Sequence, residues 1–506
     1  MSYRDEMTEF RLSRRGLLVA LAGLASTGVL AACGATPAPQ ATSAPAATSA
    51  PTQGGAVAPT PTSVPAATSA PAATAAPAAT SAPAAGEVVH IVWLVRNSPN
   101  ENKWETGVAK PEFEAKNPDI KVDILNINQD DIPLKYQAMI AANEPLDVWS
   151  VNWGAGGFGV NHFKRDLLED LTPFIERDQK DMSDYHPFVI KLYNIEGKQW
   201  AIPFNMRGSY LYYNMKIFDA AGIPYPPSSW DDTSWTWDKM IEIAKNTTHD
   251  YDDVTKAQYG IVITQTMSNP EAMGLMFQVN CWPESFYTTG TAPSIDLTNP
   301  KIVQAFEAQH DMIFKDKIHP SRGLEQALGQ LGGDFESGKI AMLTTGGWGH
   351  QSYAGLEKEK FCWGAAPFPW YDTSNKGPRC MLYPNPWNMT KGTPRKEQAW
   401  RFIAYLTSVE GERAFMKTVN ACPPLKSMIK EYVSQFPCMK AEDMNASFLG
   451  AFDYGRDASD HFALLWADIY KVWTNTMDNY WLDPNAKALD YLTNAKAEID
   501  KILQAG

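Results

Sequence analysis

The stretch Val88-Val89-His90-Ile91-Val92-Trp93-Leu94-Val95 decides the fold class. It is short, apolar and rich in β-branched residues, the composition of a strand buried on both faces. Working toward the carboxyl end, a helical segment is predicted around Lys103 to Lys116. Lys121-Val122-Asp123-Ile124-Leu125 alternates as a second strand, Leu134 to Ala142 reads as a helix, and Asp147 to Val151 as a further short strand. Strand–helix–strand alternation requires crossover connections, so the prediction is an α/β protein with a largely parallel sheet. Amphipathic helices recur downstream, through Ile302, Ala305, Phe306 and Ile313, through Ala399, Phe402, Ile403 and Leu406, and through Leu489, Leu492, Ile499 and Ile502.

Working toward the amino end, Ser13-Arg14-Arg15-Gly16-Leu17-Leu18 sets two arginines directly before the apolar run Leu17 to Ala32. This resembles a twin-arginine export signal; an ordinary secretory signal with two arginines is the alternative. The run ends in Leu30-Ala31-Ala32-Cys33, which resembles a bacterial lipobox and implies lipidation of Cys33 as the first mature residue. Residues 34–86 carry no charge, and Ala-Pro-Ala-Ala-Thr-Ser recurs among them. Such a segment cannot bury a core, and its prolines keep it extended as a semi-stiff stalk. The globular part is then residues 87–506.

Composition narrows the function. A chain of 506 residues suggests two or three structural units. With 44 basic and 57 acidic residues, the net charge of −13 argues against nucleic-acid binding, which needs a basic face. No uncharged apolar run reaches the roughly 18–20 residues needed to span a bilayer, so membrane contact is expected through the lipid anchor alone. The eight His are scattered, without His-x-x-x-His or Cys-x-x-Cys, and no Gly-x-Ser-x-Gly is present. No metal, cofactor or catalytic residue is therefore expected. Among the cysteines of the globular part, the pairs close in sequence, Cys362/Cys380 and Cys422/Cys438, are the disulfide candidates, with Cys281 free. Aromatic residues make up 11%, including 17 Trp, which means a large core or a cleft lined with rings.

Five blocks, in order, carry a resemblance. They are Phe113-Glu114-Ala115-Lys116-Asn117-Pro118-Asp119-Ile120-Lys121-Val122; Leu168-Glu169-Asp170-Leu171-Thr172-Pro173-Phe174-Ile175; Gly197-Lys198-Gln199-Trp200-Ala201-Ile202-Pro203 with Tyr210-Leu211-Tyr212-Tyr213-Asn214 and Phe218-Asp219-Ala220-Ala221-Gly222-Ile223; Phe335-Glu336-Ser337-Gly338-Lys339-Ile340-Ala341-Met342 with Gly347-Trp348; and Ala399-Trp400-Arg401-Phe402-Ile403-Ala404-Tyr405-Leu406. Together they resemble the extracellular solute-binding proteins of family 1, the substrate-binding subunits of sugar ABC importers. The chain departs from the family pattern at Pro145-Leu146-Asp147, at Trp230 to Trp237, and in an aromatic, proline-rich insert from Trp363 to Pro386.

The resemblance implies a two-lobed, type II periplasmic-binding-protein-like fold with about three hinge crossovers. Lobe one would hold about 87–204 and 379–424, and lobe two about 205–378 and 425–506. It implies a sugar or oligosaccharide bound between the lobes, ABC permease subunits as partners, a monomer, and a location on the cell membrane facing the periplasm or the exterior. Aromatic plates and planar polar groups are what a sugar's C–H faces and hydroxyl rim require. The candidates are Asn152, Trp153, Arg207, Trp348, Asn385, Trp387 and Trp466, each with core packing or a hinge salt bridge as its plain alternative. Arg379, Glu271 and Trp282 are weaker candidates, and Tyr213-Asn214 is expected to be structural. The same scaffold binding a polyol, an acidic sugar such as a uronate, or a sugar phosphate is an alternative, and Arg207 and Arg379 would favour an anion. An exported glycosidase is the remaining alternative.

Overall fold

The computed structural model describes residues 88–150, 163–264, 269–330, 334–463 and 465–505. The expected export signal with Cys33, the expected stalk, Asn152 and Trp153 lie outside the described residues. The opening strand, β1 (Val89–Arg96), pairs in parallel with β2 (Ile120–Ile127) along its whole length, from Val89↔Ile120 to Arg96↔Ile127. One helical stretch links them, and its middle turn, Glu105–Ala109, is π-helical. Trp93, Leu94 and Val95 are all buried, as a strand covered on both faces requires. β3 (Val148–Trp149) lies parallel to β1 beside Trp93.

The block around Gly197 builds a tight hairpin. β4 (Asn194–Ile195) and β5 (Lys198–Gln199) are joined by Glu196 and Gly197 at φ 56° and 77°. Two successive left-handed residues match the right-handed twist of the strands, and glycine takes the second position without a steric penalty. β6 (Ile202–Asn205) and β7 (Ser209–Asn214) follow, separated by three residues. The Tyr213-Asn214 pair is structural: the Asn214 side chain accepts from the backbone N–H groups of Lys216 and Ile217 and caps the helix Met215–Ala221. Gly222, at φ 65°, ends that helix.

The remaining strands are β8 (Tyr259–Ile263), β9 (Ile340–Gly346), β10 (Trp363–Ala366), β11 (Cys380–Leu382), β12 (Asn385–Met389) and β13 (Gly455–Asp457). The first main sheet has the order β2-β1-β3-β12-β6 and the second β10-β7-β9-β8. Both sheets are mixed, less parallel than the alternation predicted. β12 runs antiparallel to β3 and β6, and β7 runs antiparallel to β9 and β10. Each of these strands lies next to a crossover. A strand that arrives from the other sheet enters at the crossover end and runs back along its neighbours.

Three passages connect the sheets: between β6 and β7, between β10 and β12, and after the helix Val409–Val419. They are bonded to one another by the bridge Gly208↔Leu382 and by Met206 N–H donating to the Cys422 carbonyl at 2.9 Å. The register fixes which strand ends face them. Ser209, just past the first crossover, pairs with Gly346 at the carboxyl end of β9, and β3, antiparallel to β12 with Val148 on Met389 and Trp149 on Asn388, runs toward the start of β12. The carboxyl ends of β1, β2, β3, β8 and β9 therefore all point toward the crossovers, where ligands of α/β proteins bind.

Most of the aromatic content is core. Trp93 meets Trp104, Trp387 and Phe402 edge-on at 5.8, 5.3 and 4.9 Å in the first sheet's core. Tyr212 contacts His350, Tyr353 and Trp363 in the second. The disulfide differs from both expected pairings: Cys362 is bonded to Cys438, with Cα atoms 5.5 Å apart, and Cys281, Cys380 and Cys422 are free and buried. Nearness in sequence misleads here because the helix Ala441–Tyr454 packs on β10, which delivers Cys438 to the residue preceding that strand. Among the described residues, no helix is long and apolar enough to cross a membrane.

Candidate functional site

The site is built where the crossovers meet the carboxyl ends of β1 and β9. Beyond β9 the chain runs Gly346-Gly347-Trp348. Trp348 is 37% exposed, while every other tryptophan among the described residues is buried. Its indole lies over Gly346, where a Cβ would fall 2.1 Å from the ring. Glycine is thus the residue that lets the plate lie flat on the strand end. Gly347 N–H donates to the Gly208 carbonyl at 2.7 Å, tying this turn to the first crossover. Tyr383, between β11 and β12, donates its N–H to the Arg207 carbonyl at 2.6 Å and meets Trp348 edge-on at 5.3 Å.

Arg207, on the first crossover, adjoins this turn: a Cβ at Gly347 would fall 3.4 Å from it. Its Nη2 donates to Glu101 Oε1 at 3.1 Å, and both side chains are buried. Arg96, the last residue of β1, donates to the same carboxylate through Nε at 2.6 Å and through Nη2, and its Nη1 reaches Gln129 at 3.0 Å. Burial opposes charge on Glu101, yet the guanidiniums of Arg96 and Arg207 hold its carboxyl down at about 2. Burial draws Arg207 down to about 10, still protonated at neutral pH. Glu105, one turn on, is pushed up to about 8 by burial, with Asn102 opposing. The hinge salt bridge weighed as Arg207's plain alternative is present.

A polar cluster borders Tyr383 on its other side. His461 meets the Tyr383 ring edge-on at 5.9 Å and bonds Asp457 at 2.7 Å through Nδ1. Burial lowers the affinity of His461 for a proton, but Asp457 and Asp460 outweigh it and raise the imidazole to about 9. Glu271 is buried; it accepts from Tyr287 Oη and Ser459 N–H, both at 2.7 Å, and burial pushes its carboxyl up to about 7.

The predicted residues separate. Arg207 and Trp348 meet at the crossovers. Asn385 sits beside them, buried, with its N–H and Nδ2 both donating to Asn205 Oδ1 at 3.2 and 3.1 Å. Trp387 lies away from this group, stacked on Phe204 at 4.3 Å in the first sheet's core. Trp466 is buried at the first residue of the helix Trp466–Tyr480. Arg379 is buried 3.6 Å over the Trp370 ring and donates to the carbonyls of Phe368 and Trp230. Trp282 is stacked on Phe286. Sequence reasoning missed Glu101, Tyr383 and His461. Glu101 was within reach, because it follows the carboxyl end of a predicted parallel strand. Tyr383 and His461 carry no local signal.

The chain resembles proteins of known structure. An ABC substrate-binding protein from Listeria monocytogenes, in complex with cycloalternan, shares 21% identity over 82% of this chain and 99% of its own, with a TM-score of 0.65. A solute-binding protein from Thermotoga lettingae, bound with α-D-tagatose, shares 16% identity over 82% of this chain and 99% of its own, with a TM-score of 0.63. A lactose-binding protein from Rhizobium radiobacter is 23% identical over 324 residues, 63% of this chain and 70% of its own. The likeness establishes the two-lobed α/β fold that the two sheets and their crossovers describe. A family model for bacterial extracellular solute-binding proteins matches residues 109–441, well over half of the chain, and the chain belongs to that family.

Proposed function

We propose that this protein is the substrate-binding component of an ABC importer and captures a neutral sugar or oligosaccharide between its two sheets. The observation that carries the reading is Trp348: the one exposed indole among the described residues, seated on glycine at the carboxyl end of β9. A flat apolar plate beside hydrogen-bonding groups suits the alternating C–H and hydroxyl surface of a sugar. Tyr383 and Arg207 stand beside it. The relatives named above bind cycloalternan, tagatose and lactose, which supports the sugar class.

The acidic-ligand alternative loses its two supports. Arg379 is committed to carbonyls and aromatic rings, and Arg207 shares a buried carboxylate with Arg96. The protein acts by binding and release, without covalent chemistry. In this reading the lobes divide near 204/205, 378/379 and 424/425, and the hinge is at the crossovers. Export, lipidation of Cys33 and the 34–86 stalk would hold a monomeric binding domain at the membrane, within reach of its permease.

The test is a thermal-shift panel of lactose, maltotriose, tagatose, polyols, uronates and sugar phosphates. A ligand at 100 times its Kd adds about 2.7 kcal/mol of stability. The expected result is a shift with a neutral sugar that is recovered intact. A shift with anions alone, or turnover of the bound sugar, would overturn the reading.

A further inference from the structure

A cavity opens beside the first crossover, at Met206. It measures about 410 Å³, within the size range of small-molecule pockets. Met206 and Arg207 are neighbours on the first crossover, and their side chains go to different places. Arg207 reaches Glu101, and Met206 lines the cavity. Two short helical segments supply most of the remaining wall. Lys426 and Lys430, and Ile429 and Val433, are each four residues apart and share one helical face. Ala441, Asn445 and Leu449 repeat that spacing on the facing helix Ala441–Tyr454. The disulfide Cys362–Cys438 ties the connection between these helices to β10 and so fixes the wall in advance.

The lining is divided by chemistry. Met206, Ile429 and Val433 form a buried apolar floor, with Leu449 beside it. The ammonium groups of Lys426 and Lys430 have no ion-pair partner among the described residues, and His186 lines the same cavity with a buried Nδ1 that has no hydrogen-bond partner. Two lysines and an unsatisfied ring nitrogen line the cavity with one carboxylate, that of Glu442; from beyond the lining, Asp453 acts on His186 and Asp181 lies within electrostatic reach of Lys426. The nearby Asp184 is already bonded to Ser427.

From two lysines without an ion-pair partner and an unsatisfied ring nitrogen at an apolar floor, we infer that the cavity is a ligand site, distinct from the sugar cleft, for a small organic anion: a carboxylate or phosphate carried on a short alkyl body. The anion would sit among Lys426, Lys430 and His186, and the alkyl part would cover Met206, Ile429 and Val433.

The test is titration calorimetry on the whole chain with hexanoate and hexyl phosphate, against hexanol and hexylammonium as uncharged and cationic controls. At least one anion is expected to bind ten-fold or more tightly than hexanol. The double variant Lys426→Ala/Lys430→Ala is expected to lose at least ten-fold in anion affinity; both residues are exposed, so the fold is preserved. Leu449→Trp, which fills the cavity, is expected to abolish binding of anion and alcohol alike. The inference is overturned if neither anion outbinds hexanol, or if the double variant binds the anion unchanged. Sugar binding is measured in the same variants and stays intact, so failure here is separable from failure of the sugar reading.

Discussion

Trp348 and Gly346 act as one unit. The ring is exposed, so its removal costs little core packing, and Trp348→Ala is expected to melt within a few degrees of the parent. Its loss in ligand binding should be large, about 2 kcal/mol or roughly thirty-fold in Kd, the scale of a buried-on-binding aromatic anchor. Gly346→Ala should cost a similar affinity with Trp348 still present, because the added Cβ falls 2.1 Å from the ring and drives it off the strand. Calorimetry with the sugar found in the panel checks both; an unchanged Kd in Gly346→Ala would mean that the ring's seat does not matter. His461 supports a second prediction. Its folded proton affinity, raised to about 9 by Asp457 and Asp460, exceeds the ordinary value of 6.5. The stability it contributes is therefore full below pH 6.5 and is lost as pH rises through about 9. Urea melts of the parent should decline across that window by on the order of 1–3 kcal/mol more than those of His461→Gln.

The helix pair on either side of Cys438 is the element whose attachment is least secured by sequence neighbours. It packs on β10, and the disulfide closes a separation of 76 residues. Constraining a loop of that length is worth about 4 kcal/mol in the unfolded chain. Reduction, or Cys362→Ser/Cys438→Ser, is expected to lower the denaturant midpoint and to raise amide exchange first across residues 429–454; uniform exchange over both sheets would contradict this. The same element shows what sequence can and cannot reveal. β1, β2 and the helices through Ile302, Ala399 and Leu492 were legible because local periodicity mirrors their buried faces. The cysteine pairing was not, since it depends on which helix lands on β10. Trp348 and Trp387 look alike in sequence, each near a strand end beside glycine or proline. They part only when sheet register sends one to the crossovers and the other against Phe204 and Trp93. Glu101 could be suspected from its place after β1, but its pairing with Arg207, 106 residues away, leaves no local pattern.

At the scale of the whole binding domain, the crossovers carry two kinds of bond that closure would treat differently. Gly208↔Leu382 and Met206–Cys422 join crossover to crossover and can persist as the sheets rotate. Glu101 belongs to the helix after β1, whereas Arg207 belongs to the crossover, so their ion pair joins a lobe to the hinge. It is buried, and removing one partner leaves the other charge uncompensated, at a cost of about 3–5 kcal/mol. A hinge held this way should rotate as a unit and not stretch. Small-angle scattering with and without the sugar identified in the panel is expected to show a smaller radius of gyration when bound. Tryptophan emission should shift to the blue in the same titration, as the exposed Trp348 leaves water. Trp348→Phe should keep the compaction and lose the spectral shift, because the remaining tryptophans among the described residues are buried already. Compaction without a spectral change in the parent would place the closing surface away from Trp348. A spectral shift without compaction would mean that the sugar binds to a hinge that does not move.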